Sequence, residues 1–186
     1  ISDHLCGLGL SAPRVHAVDN EYGLALIEDF GHGTYAHCLA SGEDETALYQ
    51  LAVEALLALH HHPEGKLIEA KPYDLVTYLD ECDIFSDWFA PKIAPEGYDH
   101  DGFAAASRQA WESMLGEVST KRDTLVLRDF HIDNLMFLEQ RTGVTRCGIL
   151  DFQDAVVGPC EYDLVSLLQD ARRDLSPGLE EKMLDY

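Results

Sequence analysis

A chain of 186 residues, 46% hydrophobic and 25% charged, has the balance of a globular domain rather than a disordered or fibrous one. With 34 acidic residues against 13 basic ones, a formal charge of −21 argues against nucleic acid or an anionic membrane as partner, since phosphate neutralisation needs a basic face. No apolar run reaches the ~20 residues of a membrane span, and no signal-peptide pattern opens the chain. The five cysteines, Cys6, Cys38, Cys82, Cys147 and Cys160, are odd in number and widely spaced, so free thiols and a cytoplasmic setting are expected.

In chain order, residues 1–10 read as the end of a short helix, broken by Ser11-Ala12-Pro13. Arg14 to Val18 alternates like a strand, Asp19 to Gly23 is a turn, and Leu24-Ala25-Leu26-Ile27 predicts a buried strand because its apolar run is nearly continuous. Ser41-Gly42-Glu43-Asp44 resembles a helix-capping start. From there Leu48, Leu51, Ala52, Ala55, Leu56 and Leu59 recur at helical spacing up to His60-His61-His62-Pro63. Consecutive histidines point to different sides of a helix, so this triplet reads as a solvated helix end rather than a metal site.

Lys71-Pro72 is expected to open a second helix, with Tyr73, Val76, Leu79, Phe85, Trp88 and Phe89 on its apolar side. A third helix is expected over 99–118. Thr124 to Leu127 leads as a strand into Arg128-Asp129-Phe130-His131-Ile132-Asp133-Asn134. Two short β-prone runs follow, Leu135 to Gln140 and Val144 to Leu150, separated by Arg141-Thr142-Gly143, and together they predict a β-hairpin. A last helix is expected from about Cys160 to Arg173, with Asp163 in its first turn, where exposed amides favour a carboxylate.

The hairpin concentrates the chemistry. Asn134 precedes the outgoing strand and Asp151 follows the returning one, so antiparallel pairing should bring them together at the open end. Asp129 can enter the same space from the loop. Two acids and an amide on a rigid hairpin suit a hard divalent cation and a substrate hydroxyl.

Asp129-x4-Asn134 followed by Asp151 resembles the catalytic loop and metal aspartate of protein-kinase-like phosphotransferases, in particular the aminoglycoside phosphotransferase and choline kinase-like family. Three blocks carry a closer resemblance: Arg128-Asp129-Phe130-His131-x2-Asn134-Leu135-Met136, Leu150-Asp151-Phe152-Gln153-Asp154-Ala155, and Gly158-Pro159-x2-Tyr162-Asp163-Leu164. They are similar to bacterial N-acetylmuramate/N-acetylglucosamine 1-kinases of cell-wall recycling.

The resemblance implies an α+β, protein-kinase-like fold. Residues 1–29 would be a remnant of the N-terminal β lobe and the start of the hinge, and residues 30–186 the mostly helical C-terminal lobe. It implies ATP and Mg2+ as cofactors and a small-molecule acceptor, an amino sugar or, alternatively, an aminoglycoside, choline or another small alcohol. Asp129 would be catalytic, and Asn134 and Asp151 would be metal ligands. The Glu28 carbonyl and Phe30 amide would hold adenine, with Arg128, His131 and Asp163 in support, Asp163 bracing the loop from beneath. Phe85, Trp88 and Phe89 stand as either core or acceptor-pocket residues.

The chain departs from the family twice. Leu127 stands where a histidine is usual two residues before the catalytic aspartate. The glycine-rich strand pair and the lysine that grip the phosphates find no match before residue 30 and are expected to precede Ile1, so the chain alone is expected to hold only part of the nucleotide site. A non-catalytic regulatory lobe is the alternative from another class.

Overall fold

Helix α3, Glu45–His61, is the axis of the fold. Its start is fixed by Asp44, whose carboxylate accepts from the Ala47 amide at 3.1 Å. Every apolar position of the predicted stripe, from Leu48 to Leu59, is buried, along with Tyr49 and Val53. One cluster of 24 buried residues joins α3 to the loop residues Leu127, Phe130 and Ile132 and to the chain ends. The computed structural model describes all of residues 1–186.

The other elements are arranged around that axis. Helix α1 (Ser2–Gly7) is followed by β1 (Val15–Asp19) and β2 (Leu24–Ile27), and helix α2 (Tyr35–Ala40) precedes α3. Helices α4 (Leu75–Ile84), α5 (Ala90–Ile93) and α6 (His100–Leu115) form a side layer. Then come β3 (Thr124–Val126), β4 (Leu135–Phe137), β5 (Cys147–Ile149), β6 (Val156–Gly158), α7 (Glu161–Leu168) and α8 (Leu179–Asp185). The strands make three separate antiparallel pairs, β1 with β2, β3 with β6, and β4 with β5. Residues 1–13, expected on the N-terminal side of a boundary at residue 29, contribute Leu5, Leu10 and Ala12 to the main core.

Several local expectations need correction. Strand β2 forms where predicted but is not buried: Leu24 and Leu26 are each 64% exposed, on a ribbon in which β2 pairs with β1 alone. Lys71 and Pro72 do not begin a helix. The Lys71 carbonyl accepts from the Val157 amide and the Tyr73 amide donates to the Val157 carbonyl, both at 2.8 Å, so this stretch runs along β6. Helix α4 starts only after Asp74 caps it, accepting from the Thr77 amide at 3.0 Å.

Strand β6 itself lies in a stretch, between Asp151 and the last helix, to which the sequence assigns no element. Gly158 permits it, since a Cβ there would stand 2.9 Å from Cβ of Tyr73. Helix α6 is shorter than expected at both ends and buries no residue. The run Val144 to Leu150 yields only a three-residue strand, after a 3-10 turn over Gly143–Arg146. Helix α7 stops at Leu168 rather than Arg173, because the Asp170 carboxylate accepts from the Arg172 amide at 3.1 Å and turns the chain.

Phe85, Trp88 and Phe89 are not core. They occupy a π-helical turn continuing α4 and are 49%, 71% and 52% exposed. Such turns recur at functional sites. All five cysteines are free, and no helix is long and apolar enough to cross a membrane.

Candidate active site

The hairpin β4–β5 pairs Leu135 with Ile149 and Phe137 with Cys147. One residue further out, the Leu150 amide donates to the Asn134 carbonyl at 2.9 Å, so the ladder extends to the mouth of the hairpin. There the Asn134 side-chain amide lies 3.4 Å from a carboxylate oxygen of Asp151. The same Nδ2 lies 3.1 Å from the Asp129 carbonyl and 3.3 Å from Nε2 of His131. Asn134 is therefore the hub on which loop and hairpin converge. The other Asp151 oxygen accepts from the Gln153 side chain.

The loop that enters this space is tightly wound. The Asp129 amide donates back to the Leu127 carbonyl at 2.9 Å across Arg128, whose φ is +72°. A three-residue turn with a positive central φ is rare and strained in an L-residue. The next turns are closed by the His131 amide to the Asp129 carbonyl at 3.1 Å and the Asn134 amide to the His131 carbonyl at 2.9 Å. Asp151 is the other non-glycine residue with positive φ, +58°. Strain of this kind gathers where geometry serves function rather than stability. Asp129 and Asp151 are exposed, while His131 is buried with its Nδ1 unpaired.

Asp163, on α7, sits beneath the loop with 1% of its surface exposed. Its carboxylate accepts from the amides of Leu127 at 2.7 Å and Arg128 at 2.9 Å. Burial pushes this carboxyl up to about 7, against the two amide bonds that favour its charged form, and the Asp129 charge adds to the rise. The Arg128 side chain pairs with Glu81 on α4 and reaches the Asp154 carbonyl at 3.4 Å. Leu127 is buried against the core.

The expected hinge borders a cleft of about 390 Å3 lined by Glu28, Asp29, Phe30, Gly33, Cys38 and the β4 end of the hairpin. The Glu28 carbonyl and the Phe30 amide make no hydrogen bond within the chain. The segment Glu28 to Phe30 is anchored by a residue that sequence reasoning missed. Arg141, in the hairpin turn, bonds the Glu28 carboxylate at 2.6 Å and the Ser11 hydroxyl at 2.7 Å, and its guanidinium carbon lies 4.8 Å from the centre of the Phe30 ring. Its position in a turn gave no signal, because its partner is 113 residues away.

The family described as phosphotransferase enzyme family matches over residues 1–186. The N-acetylmuramate/N-acetylglucosamine kinase of Caulobacter vibrioides is 40% identical over 188 residues, covering 95% of this chain and 50% of that protein. The enzyme of the same name from Neisseria meningitidis serogroup B is 34% identical over 170 residues, covering 87% and 47%. The chain thus spans about half the length of the curated relatives it matches. Among solved structures, the aminoglycoside phosphotransferase APH(3'')-Id from Streptomyces rimosus, in complex with ADP and streptomycin, superposes with a TM-score of 0.67 at 16% identity. That match covers 99% of this chain and 71% of the other, and it establishes a shared protein-kinase-like α+β fold.

Proposed function

The chain belongs to the phosphotransferase enzyme family, and on that premise we propose that it forms the metal- and acceptor-binding part of a small-molecule kinase. The reaction is transfer of the γ-phosphoryl group of ATP, with Mg2+, to a hydroxyl of an amino sugar of the N-acetylmuramate or N-acetylglucosamine kind. The observation that carries this reading is the 3.4 Å approach of Asn134 to Asp151 at the hairpin mouth, beside the strained turn that presents Asp129. The names of the Caulobacter and Neisseria relatives support an amino-sugar acceptor.

Phosphoryl transfer demands alignment and charge neutralisation more than covalent chemistry. In this reading Asp129 accepts a hydrogen bond from the acceptor hydroxyl, aims it in line, and takes its proton late in the transfer. Asp151 and Asn134 fit Mg2+ as hard oxygen donors, one charged and one neutral. The ion, when bound, offsets charge on the phosphate oxygens. The unpaired Glu28 carbonyl and Phe30 amide meet the donor and acceptor of an adenine edge. Residues 1–29 belong to the nucleotide-covering lobe and the start of the hinge, and residues 30–186 form the helical lobe, with Leu5 of α1 packed into its core. The exposed ring of Trp88, with Phe85 and Phe89, forms an apolar face for the acceptor.

The test is a pair of variants. Asp129→Asn is expected to lower turnover by about 10²-fold or more with nucleotide affinity unchanged, whereas Asp151→Asn weakens metal–nucleotide binding as well. Equal and mild effects would refute the assignment. The buried apolar Leu127, where the family usually has histidine, favours the second reading, a non-catalytic lobe. Absence of nucleotide consumption across a panel of sugars, measured with the full-length parent protein, would select it.

A further inference from the structure

Glu81 lies on α4, remote in sequence from every motif, yet both of its carboxylate oxygens are committed. One accepts from the Arg128 guanidinium and the other from the Tyr73 hydroxyl, the latter at 2.6 Å. Tyr73 is enclosed by its neighbours. It is fully buried, stacked on Tyr78 at 3.8 Å between ring centres and edge-on to Tyr162 at 5.1 Å. The Arg128 guanidinium carbon is 5.8 Å from the centre of the same Tyr73 ring.

A half-buried ion pair of this kind is a poor source of net stability, because desolvation offsets its attraction. Its position is more informative. Arg128 is the left-handed residue of the turn that delivers Asp129, and such a conformation persists only where the surroundings over-determine it. Asp163 grips the backbone of the turn from the core side. Glu81 grips the side chain from α4, braced by a tyrosine stack.

We propose that Glu81 is a positioning residue for phosphoryl transfer: by clamping the Arg128 guanidinium between α4 and the loop, it keeps Arg128 left-handed and so aims the Asp129 carboxylate. The inference rests on the kinase reading and acts through Arg128. It links the helix that leads into the aromatic face to the loop that performs the chemistry.

The experiment compares Glu81→Ala and Glu81→Asp, each alone and in an Arg128→Gly background, in the full-length parent protein. Steady-state kinetics is read alongside hydrogen exchange of the 127–134 segment and the melting temperature. Glu81→Ala is expected to lower kcat by about 10- to 100-fold, as misplacement of a catalytic group by about an ångström does. KM for ATP stays within about twofold, exchange in the loop rises, and Glu81→Asp partly restores the rate. Glycine adopts positive φ without strain, so in the Arg128→Gly background Glu81→Ala should add less than about a twofold loss. The proposal is overturned if kcat holds within twofold, if loop exchange is unaltered, or if the loss is the same in both backgrounds. Absence of turnover on any acceptor by the full-length parent protein would instead overturn the kinase reading, and loop exchange would then decide the clamp on its own.

Discussion

Replacing Asp163 by alanine removes the acceptor for two amides at once, those of Leu127 at 2.7 Å and Arg128 at 2.9 Å. A buried donor left without a partner costs about 1–3 kcal/mol. Leu127 is fully enclosed and Arg128 only partly, so the sum works out at about 3 kcal/mol where the carboxyl is protonated. The cost depends on pH, and the sign follows from the direction of the shift. The carboxyl of Asp163 is raised from its ordinary 3.8 to about 7. Between those values the folded chain retains a proton that the unfolded chain has released, so raising the pH favours unfolding.

The contribution of Asp163 to stability therefore shrinks by about 2 kcal/mol from pH 5 to pH 7. At about 2–4 °C per kcal/mol for a chain of this size, Asp163→Ala should melt about 6–12 °C below the parent at pH 5. At pH 7 the gap narrows to a few degrees. Thermal unfolding followed by circular dichroism at both pH values measures this, and hydrogen exchange at Leu127 and Arg128 localises the loss. A variant melting within 2 °C of the parent at pH 5, or a gap that widens with pH, would refute the argument.

Gly148→Ala should weaken adenine-nucleotide binding and lower stability by about 1–3 kcal/mol. The added Cβ would meet the Phe30 ring at 2.9 Å and Cδ1 of Leu138 at 3.0 Å, and equilibrium nucleotide titration with a thermal melt checks both effects. Asp44→Ala removes the cap on α3 and should cost about 1 kcal/mol in urea unfolding, whereas the same change at exposed Asp185 should cost nothing measurable. Trp88→Ala should leave the melting temperature within about 2 °C, since 71% of that residue is exposed, while raising the acceptor KM several-fold in the kinase assay. An unchanged KM would remove the aromatic face from the acceptor site.

How much of this architecture a reader of the chain can foresee depends on how far apart the interacting residues lie. Helix α3 is legible because burial of one face imposes a 3.6-residue rhythm on Leu48 to Leu59. The meeting of Asn134 and Asp151 is legible because they flank a hairpin and stand 17 residues apart. The loop motif and Asp163 are legible as resemblance, whereas the amides that Asp163 grips appear only in the fold.

Tertiary structure alone decides the rest. Apolar patterning shows that a residue prefers to be covered, and it is silent on whether a partner arrives. That is why β2 reads as buried and stands exposed, and why Phe85, Trp88 and Phe89 look like core and face outward. Strand β6 escapes notice because three residues carry no periodicity, and its pairing with β3 is a matter of chain path. Arg141 on Glu28 and Glu81 on Arg128 join residues 113 and 47 positions apart. Charged side chains at such separations are brought together by the packing of the elements that carry them, and no local rule of spacing or composition encodes that encounter.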